Sequence, residues 1–199
     1  MLDFAGVGAD TPIAVLILTA AEVEELLDLD DLVDAVAAAM ADLSAGRASV
    51  PQRIAATVAE RHAILAAMPA FLPSAGALTT KLVSLFPDNR DRPTHQALIC
   101  AFDPATGTPL AVMDGTYITE ARTAAGSALA TRLLARSDSS TVAVIGTGAQ
   151  GRAHVRALAR DPRLRVVVAG RRNEAAVGLA HQLGVEAADS IEVVNVEWR

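Results

Sequence analysis

Apolar positions along the chain recur with two different periods, and the switches between them mark out the elements. Ile13–Leu18 is a short, mostly branched run that predicts a strand. Thr19 follows, with Glu22 three residues on, the spacing of a capping box that starts a short helix to Leu27. Leu32, Val33, Val36, Met40 and Leu43 then fall at helical spacing, with Asp30 as the expected N-cap and Gly46 as the C-terminal stop. From Ser49 to Asp114 the texture is that of strands. Arg53–Ala59 and Ala63–Met68 flank Glu60-Arg61-His62 and predict a hairpin, and Leu78–Phe86 is a third strand. The polar segment Pro87–Pro93 is a loop. His95–Phe102 and Pro109–Met113 flank Asp103-Pro104-Ala105-Thr106-Gly107, a turn signal. Consecutive hairpins imply a mainly antiparallel sheet. Residues 1–12 have no periodicity and read as a leader.

The remainder alternates helix and strand. Thr119–Ala135 is Ala-rich and helical. Thr141–Ile145 is a buried-type strand that runs into Gly146-Thr147-Gly148-Ala149-Gln150-Gly151, and a helix continues to about Arg160 before Asp161-Pro162 breaks it. Val166–Ala169 is the next strand. Glu174–Leu183 is a helix capped by Gly184, and a third strand is expected near Val185 or at Ile191–Val196.

Composition narrows the class. The 199 residues are 52% apolar but only 3% aromatic, so the core must be built from small and branched aliphatic side chains. The net charge of -6 has no like-charge block behind it, which argues against nucleic acid and anionic membranes as partners. The longest early apolar run is far short of the about 20 residues of a membrane span. Cys100 is the single cysteine and sits in an apolar run, so it reads as a small core residue, and no disulfide can form within one chain. A reducing, cytoplasmic location is expected. The four His and the single Cys are scattered without ligand spacing, so no metal is expected.

The strongest chemical signal is the glycine loop. A lone GxGxxG is weak, but here a strand precedes it, a helix follows it and a second strand comes about 20 residues on. The glycines allow a tight turn and close approach to a pyrophosphate, and the helix N-terminus offers free N–H groups. Gly146, Thr147, Gly148, Ala149, Gln150 and Gly151 are therefore the expected cofactor loop. The second strand ends in Ala169-Gly170-Arg171-Arg172, with none of the acid that takes the ribose hydroxyls in NAD binders. Arg171 and Arg172 suit a 2′-phosphate, so NADP(H) is expected over NAD(H). Two solvated helix-start arginines are the bland alternative.

Several segments in order resemble the ornithine cyclodeaminase/mu-crystallin family. They are Leu29-Asp30-Asp31-Leu32-Val33 with Gly46, Val50-Pro51-Gln52-Arg53, Thr80-Lys81-Leu82-Val83-Ser84, Pro93-Thr94-His95-Gln96-Ala97, Phe102 to Ala111, Thr119-Glu120-Ala121-Arg122-Thr123-Ala124-Ala125, and the glycine loop. The resemblance runs from about Leu18 to about Gly184. It implies an α/β chain: a mainly antiparallel α+β substrate and dimerisation domain at 13–118, a connecting helix at 119–139, and the first part of a Rossmann dinucleotide-binding domain at 140–199. It implies NAD(P)-dependent chemistry on amino or imino acids (cyclodeaminase, or ketimine or pyrroline-carboxylate reductase) and a homodimer. It also implies that Arg53, Lys81 and Arg122 hold the substrate's α-carboxylate. Three cations around one anion favour a neutral lysine, which would let Lys81 assist proton transfer.

Each of these cations has a plainer reading. Arg53 could be a strand-edge charge. Lys81 lies in the apolar run Ala77–Phe86, where it must be either on an exposed edge or paired, because a buried lone charge is costly. Arg122 could be a solvated helix residue. His95 and Gln96 open a strand on the substrate side, with a structural role expected for His95. A whole Rossmann site uses about six strands, and the sequence supplies two clear ones and a possible third. Ile191–Arg199 also departs from the family texture. The expectation is a truncated domain, and with it the alternative of a non-catalytic ligand- or nucleotide-binding module.

Overall fold

The computed structural model describes residues 14–188; the expected leader and the candidate strand at Ile191–Val196 lie outside them. Strand β1 (Leu16–Leu18) leads into helix α1 (Ala20–Leu26), which opens on the anticipated capping box of Thr19 and Glu22. Helix α2 spans Leu29–Ser44. Its N-cap is Asp28, not Asp30: the Asp28 carboxylate accepts from the amides of Asp30 and Asp31 at 2.8 and 3.1 Å. Asp30 is left free to face another partner. Gly46, at a φ of 68°, follows the last turn as expected.

Five strands come next: β2 (Ile54–Val58), β3 (Ala63–Leu72), β4 (Ala77–Leu85), β5 (His95–Phe102) and β6 (Pro109–Asp114). With β1 they form a six-stranded sheet in the order β1-β6-β5-β4-β3-β2. Every pair is antiparallel except β1 with β6 at one edge. Strand β3 is longer than its pattern suggested because Pro69–Leu72 continues pairing with β4. Arg53 and Ala59 fall outside β2: Ala59–Arg61 is a 3-10 turn, and His62 closes the hairpin in the left-handed region at a φ of 47°.

Helix α3 (Thr116–Leu134) begins three residues before the expected start, because the Asp114 carboxylate accepts from the amides of Thr116 and Tyr117. Ala121, Ala124, Ala125 and Ala128 are buried on this helix, and the last three share one core with Val33 of α2 and with the second sheet. That sheet is parallel, in the order β7 (Thr141–Ile145), β8 (Arg165–Ala169), β9 (Glu186–Ala187), joined through α4 (Ala149–Leu158) and α5 (Asn173–Leu183). Val155 and Val168 are fully buried there. A mixed α/β chain with an antiparallel sheet followed by Rossmann-type parallel strands is therefore the architecture.

Antiparallel partners point to one face of a sheet. One face of the large sheet carries Ala66, Val83 and Ala97, all buried, with the start of α3 pressed onto Ala97. The other carries Ile17, Ile54, Leu65 and Leu98 at 72, 72, 51 and 49% exposure, with no covering element among the described residues. Cys100 lies on this second face and is only partly buried, so it is not the core residue its neighbours suggested.

Asp42, near the end of α2, is the one buried charged residue among those described, at 1% exposure. Its carboxylate accepts from the Ser74 amide in the β3–β4 turn at 3.0 Å and from Arg47 Nε at 2.9 Å. The Ser74 bonds, helped by Arg47, hold it below the ordinary carboxylate range. Its contribution to stability is thus complete above that range and is lost as the pH falls through the lowered folded value. Asp42→Ala should lower the melting temperature by several degrees near neutrality, because it removes the buried acceptor shared by the Ser74 amide and the Arg47 guanidinium. The gap to wild type should narrow in acid, as thermal melts across pH would record.

Candidate functional site

Lys81 sits in the middle of β4, an interior strand, and not on an exposed edge. It is opposite Met68 on β3 and Ile99 on β5, and Ile99 is opposite Met113 on β6. These four side chains form a row across the face that α3 covers. Arg53 stands one residue before Ile54, whose partner is Ala67, so it extends the row beside Met68. Arg53 and Met68 line one cavity of about 410 Å³ with Val50, Pro51 and Gln52.

Helix α3 reaches the row from above. Gly115 fixes its start: the Gly115 amide donates to the Ala97 carbonyl at 2.8 Å, and a Cβ on Gly115 would lie 3.0 Å from the Ala97 Cβ. This close approach puts Thr119 over Lys81, whose Nζ donates to Thr119 Oγ1 at 2.7 Å. Arg122 follows three residues on, at the spacing of one helix face. Burial holds the Lys81 ammonium below the usual lysine range, and the Arg122 guanidinium lowers it further. Arg122 and Arg53 are exposed. The three cations thus occupy one side of one sheet.

The glycine loop has the predicted form. Gly146 adopts a φ of 127° and its amide donates to the Ala169 carbonyl at 2.8 Å, tying the loop to β8. A Cβ on Gly151 would come within 2.1 Å of the Gly146 carbonyl oxygen, so the first turn of α4 can press onto the loop only with glycine there. The space over Gly148 is open. No side chain caps α4, and its first amides, from Ala149, Gln150 and Gly151, have no partner within the helix. A cavity of about 590 Å³ is lined by Ile145–Gly148 and Gly170–Arg172, with Arg171 and Arg172 exposed at its mouth. Open amides, a helix dipole and a Cβ-free approach fit a dinucleotide pyrophosphate.

This cavity and the one at Arg53 share no lining residue. Two packed helices join the two regions, α3 from the cation row and α4 from the loop. His154 of α4 is held at both nitrogens. Its Nδ1 lies 2.6 Å from the Gln150 carbonyl, which only accepts, so Nδ1 carries a proton, and its Nε2 lies 2.9 Å from the Ser127 hydroxyl. Another cavity, of about 850 Å³, opens on the uncovered sheet face. It is lined by Leu65, Leu82 and Leu98 with Glu24, Asp114 and Glu120, and by none of the cations.

Among the described residues, no three His, Cys, Asp or Glu side chains gather as a metal-binding group, and no helix is long and apolar enough to cross a membrane. His95 and Gln96 open β5 as anticipated. No role was expected for Thr119, Ser127 or His154 from the sequence, and the signal for Thr119 was its place at the head of the Thr119–Ala125 segment, three residues before Arg122.

Comparison with known proteins gives this geometry a context. Mouse (Mus musculus) ketimine reductase mu-crystallin is 41% identical over 143 residues, which is 69% of this chain and 46% of that protein. The chain therefore spans about half the length of the curated relatives it matches. The structure of Thermococcus litoralis Δ1-pyrroline-2-carboxylate reductase, in complex with NADH and L-proline, aligns with a TM-score of 0.78 and 34% identity, over 87% of this chain and 56% of that one. An archaeal alanine dehydrogenase dimer with bound NAD aligns with a TM-score of 0.79 and 36% identity, over 87% and 55%. The sequence pattern shared by ornithine cyclodeaminases and mu-crystallins matches residues 14–196. With the antiparallel sheet, the parallel strands and the glycine loop already described, that match means the chain belongs to the ornithine cyclodeaminase/mu-crystallin family.

Proposed function

We propose that this chain works on a small α-imino or α-amino acid with a nicotinamide cofactor, as a reductase or cyclodeaminase. The observation that carries the reading is the row of Arg53, Lys81 and Arg122 on one sheet side, joined through α3 and α4 to an open glycine loop. The arginines grip the substrate carboxylate by paired hydrogen bonds, and Lys81 adds a compact charge. Bound at Gly146–Gly151, a nicotinamide cofactor would supply or accept the hydride at the substrate's α-carbon. The chain's own part is to orient the carboxylate, keep water off the sheet face and exchange a proton with the substrate nitrogen at Lys81 Nζ. In the reducing direction that proton completes the amine.

Within this reading residues 13–118 hold substrate, 119–139 connect, and 140–199 begin the nucleotide site. Arg171 and Arg172 select NADP(H) over NAD(H) by meeting the 2′-phosphate. The uncovered face around Ile54, Leu65 and Leu98 packs on a second copy, making a homodimer. A second reading, nucleotide binding without turnover, is favoured by one observation: the parallel sheet has three strands among the described residues.

Oxidation of NADPH with Δ1-pyrroline-2-carboxylate, followed by absorbance, separates the two readings. Turnover by the 199-residue chain supports the first, and calorimetric binding of NADPH without turnover supports the second. Replacing Arg171 and Arg172 together by Ala should weaken NADPH roughly 10- to 100-fold, the loss of one charge-assisted contact, while leaving NADH nearly unchanged. Equal losses for both cofactors would overturn the cofactor preference. Gly151→Ala should abolish measurable binding of either cofactor, because its Cβ collides with the Gly146 carbonyl. For the dimer, Leu65→Glu with Leu98→Glu should give a monomer in sedimentation equilibrium.

A further inference from the structure

Lys81 is the only lysine in the chain; the other sixteen of its seventeen Lys and Arg residues are arginines. This single amine is held by one hydroxyl whose own proton is already committed. Thr119 Oγ1 donates to the Gly115 carbonyl at 2.6 Å, and that carbonyl can only accept. The contact with Lys81 Nζ at 2.7 Å can therefore run only one way, from nitrogen to oxygen. An ammonium and a neutral amine both carry an N–H for this bond. The contact survives loss of a proton, and the lone pair that appears is then directed away from Thr119.

We propose that Thr119 is a positioning residue: it pins one N–H of Lys81 in either protonation state, so that the remaining valences of the nitrogen face the substrate. The proposal rests on the reading of Lys81 given above. Its geometry comes from the backbone, since Gly115 is fixed against Ala97 by a 2.8 Å hydrogen bond and by the absence of a Cβ. The acceptor is thus placed by the sheet itself and not by a mobile side chain. Arg122, one turn along, is the charged group that faces the same amine on that helix.

Because the chain has one lysine, its 13Cε resonance can be followed alone after labelling with lysine. Thr119→Val removes the acceptor at nearly constant volume. An accepted hydrogen bond favours the ammonium more than the amine, so the lysine's titration midpoint should fall by about one unit. Arg122→Ala should move it the opposite way by removing a like charge, and Thr119→Ser should restore the wild-type value. With Δ1-pyrroline-2-carboxylate and NADPH, Thr119→Val should lower kcat at least about tenfold with a much smaller change in KM, the pattern of an interaction made in the transition state.

An unmoved midpoint in a folded Thr119→Val protein would overturn the contact. A moved midpoint with unchanged kcat would overturn the positioning role. Full activity in Lys81→Ala would instead sink the assignment of Lys81, and with it the wider reading. Should the wild-type chain show no turnover, that wider reading fails, and the midpoints of the Val and Ser variants decide by themselves whether Thr119 holds the amine.

Discussion

The close seating of α3 is the constraint on which both candidate sites depend. The helix starts where Gly115 presses on Ala97, with no room for a side chain between them. Its buried residues further along are all alanine, at 121, 124, 125 and 128, so α2 and α4 can approach at short interaxial distance. Thr119 and Arg122 are thereby fixed over the cation row at one end. Farther along the same helix Ser127 meets His154 of α4. The helix that begins at the glycine loop and the helix that holds Lys81 are in effect one packed unit, and an error in the seating of either would shift both sites.

Electrostatics reinforces this unit without supplying much stability. On α4 and the turn after it, Arg156 and Arg160 are one helical turn apart. They pair with Glu24 of α1 and Asp30 of α2, respectively. All four side chains are partly exposed, and such pairs typically contribute about 1 kcal/mol or less. What they add is direction, since α4 can slide along the first two helices only by breaking both pairs. The departure of the cap from Asp30 to Asp28 belongs to the same arrangement, because a carboxylate bound to helix amides could not also receive Arg160 in the same geometry.

Local chemistry was legible in the sequence wherever one residue type dictated one backbone state. The capping box at Thr19, the left-handed glycines at 46 and 184, the hairpin at Glu60–His62 and the strand–GTGAQG–helix unit all followed from such rules. Long-range choices were not legible. Whether Lys81 lay on an edge or inside a sheet depends on which strands flank β4, and strand order is not written in any local pattern. The burial of Asp42 had no signal either, because its partner Ser74 is 32 residues away. An alanine-rich helix looks like a spacer until its neighbours are known. The low amphipathicity of α3 is what a helix contacted on several sides must have, and that same evenness hid its role.

The choice of lysine at position 81 completes the physical picture. Arginine serves at every other cationic position, so neither charge nor anchoring explains the exception. Guanidinium keeps its proton at any ordinary pH and needs a planar space for its fork. Between Met68 and Ile99, under a helix held down at Gly115, a narrow stem carries a compact head to Thr119. An ammonium there is bonded to Thr119 and is driven toward neutrality by burial and by Arg122. The tight seating of α3 therefore does more than fill a core: it sets Thr119 Oγ1 within hydrogen-bond reach of the one lysine in the chain.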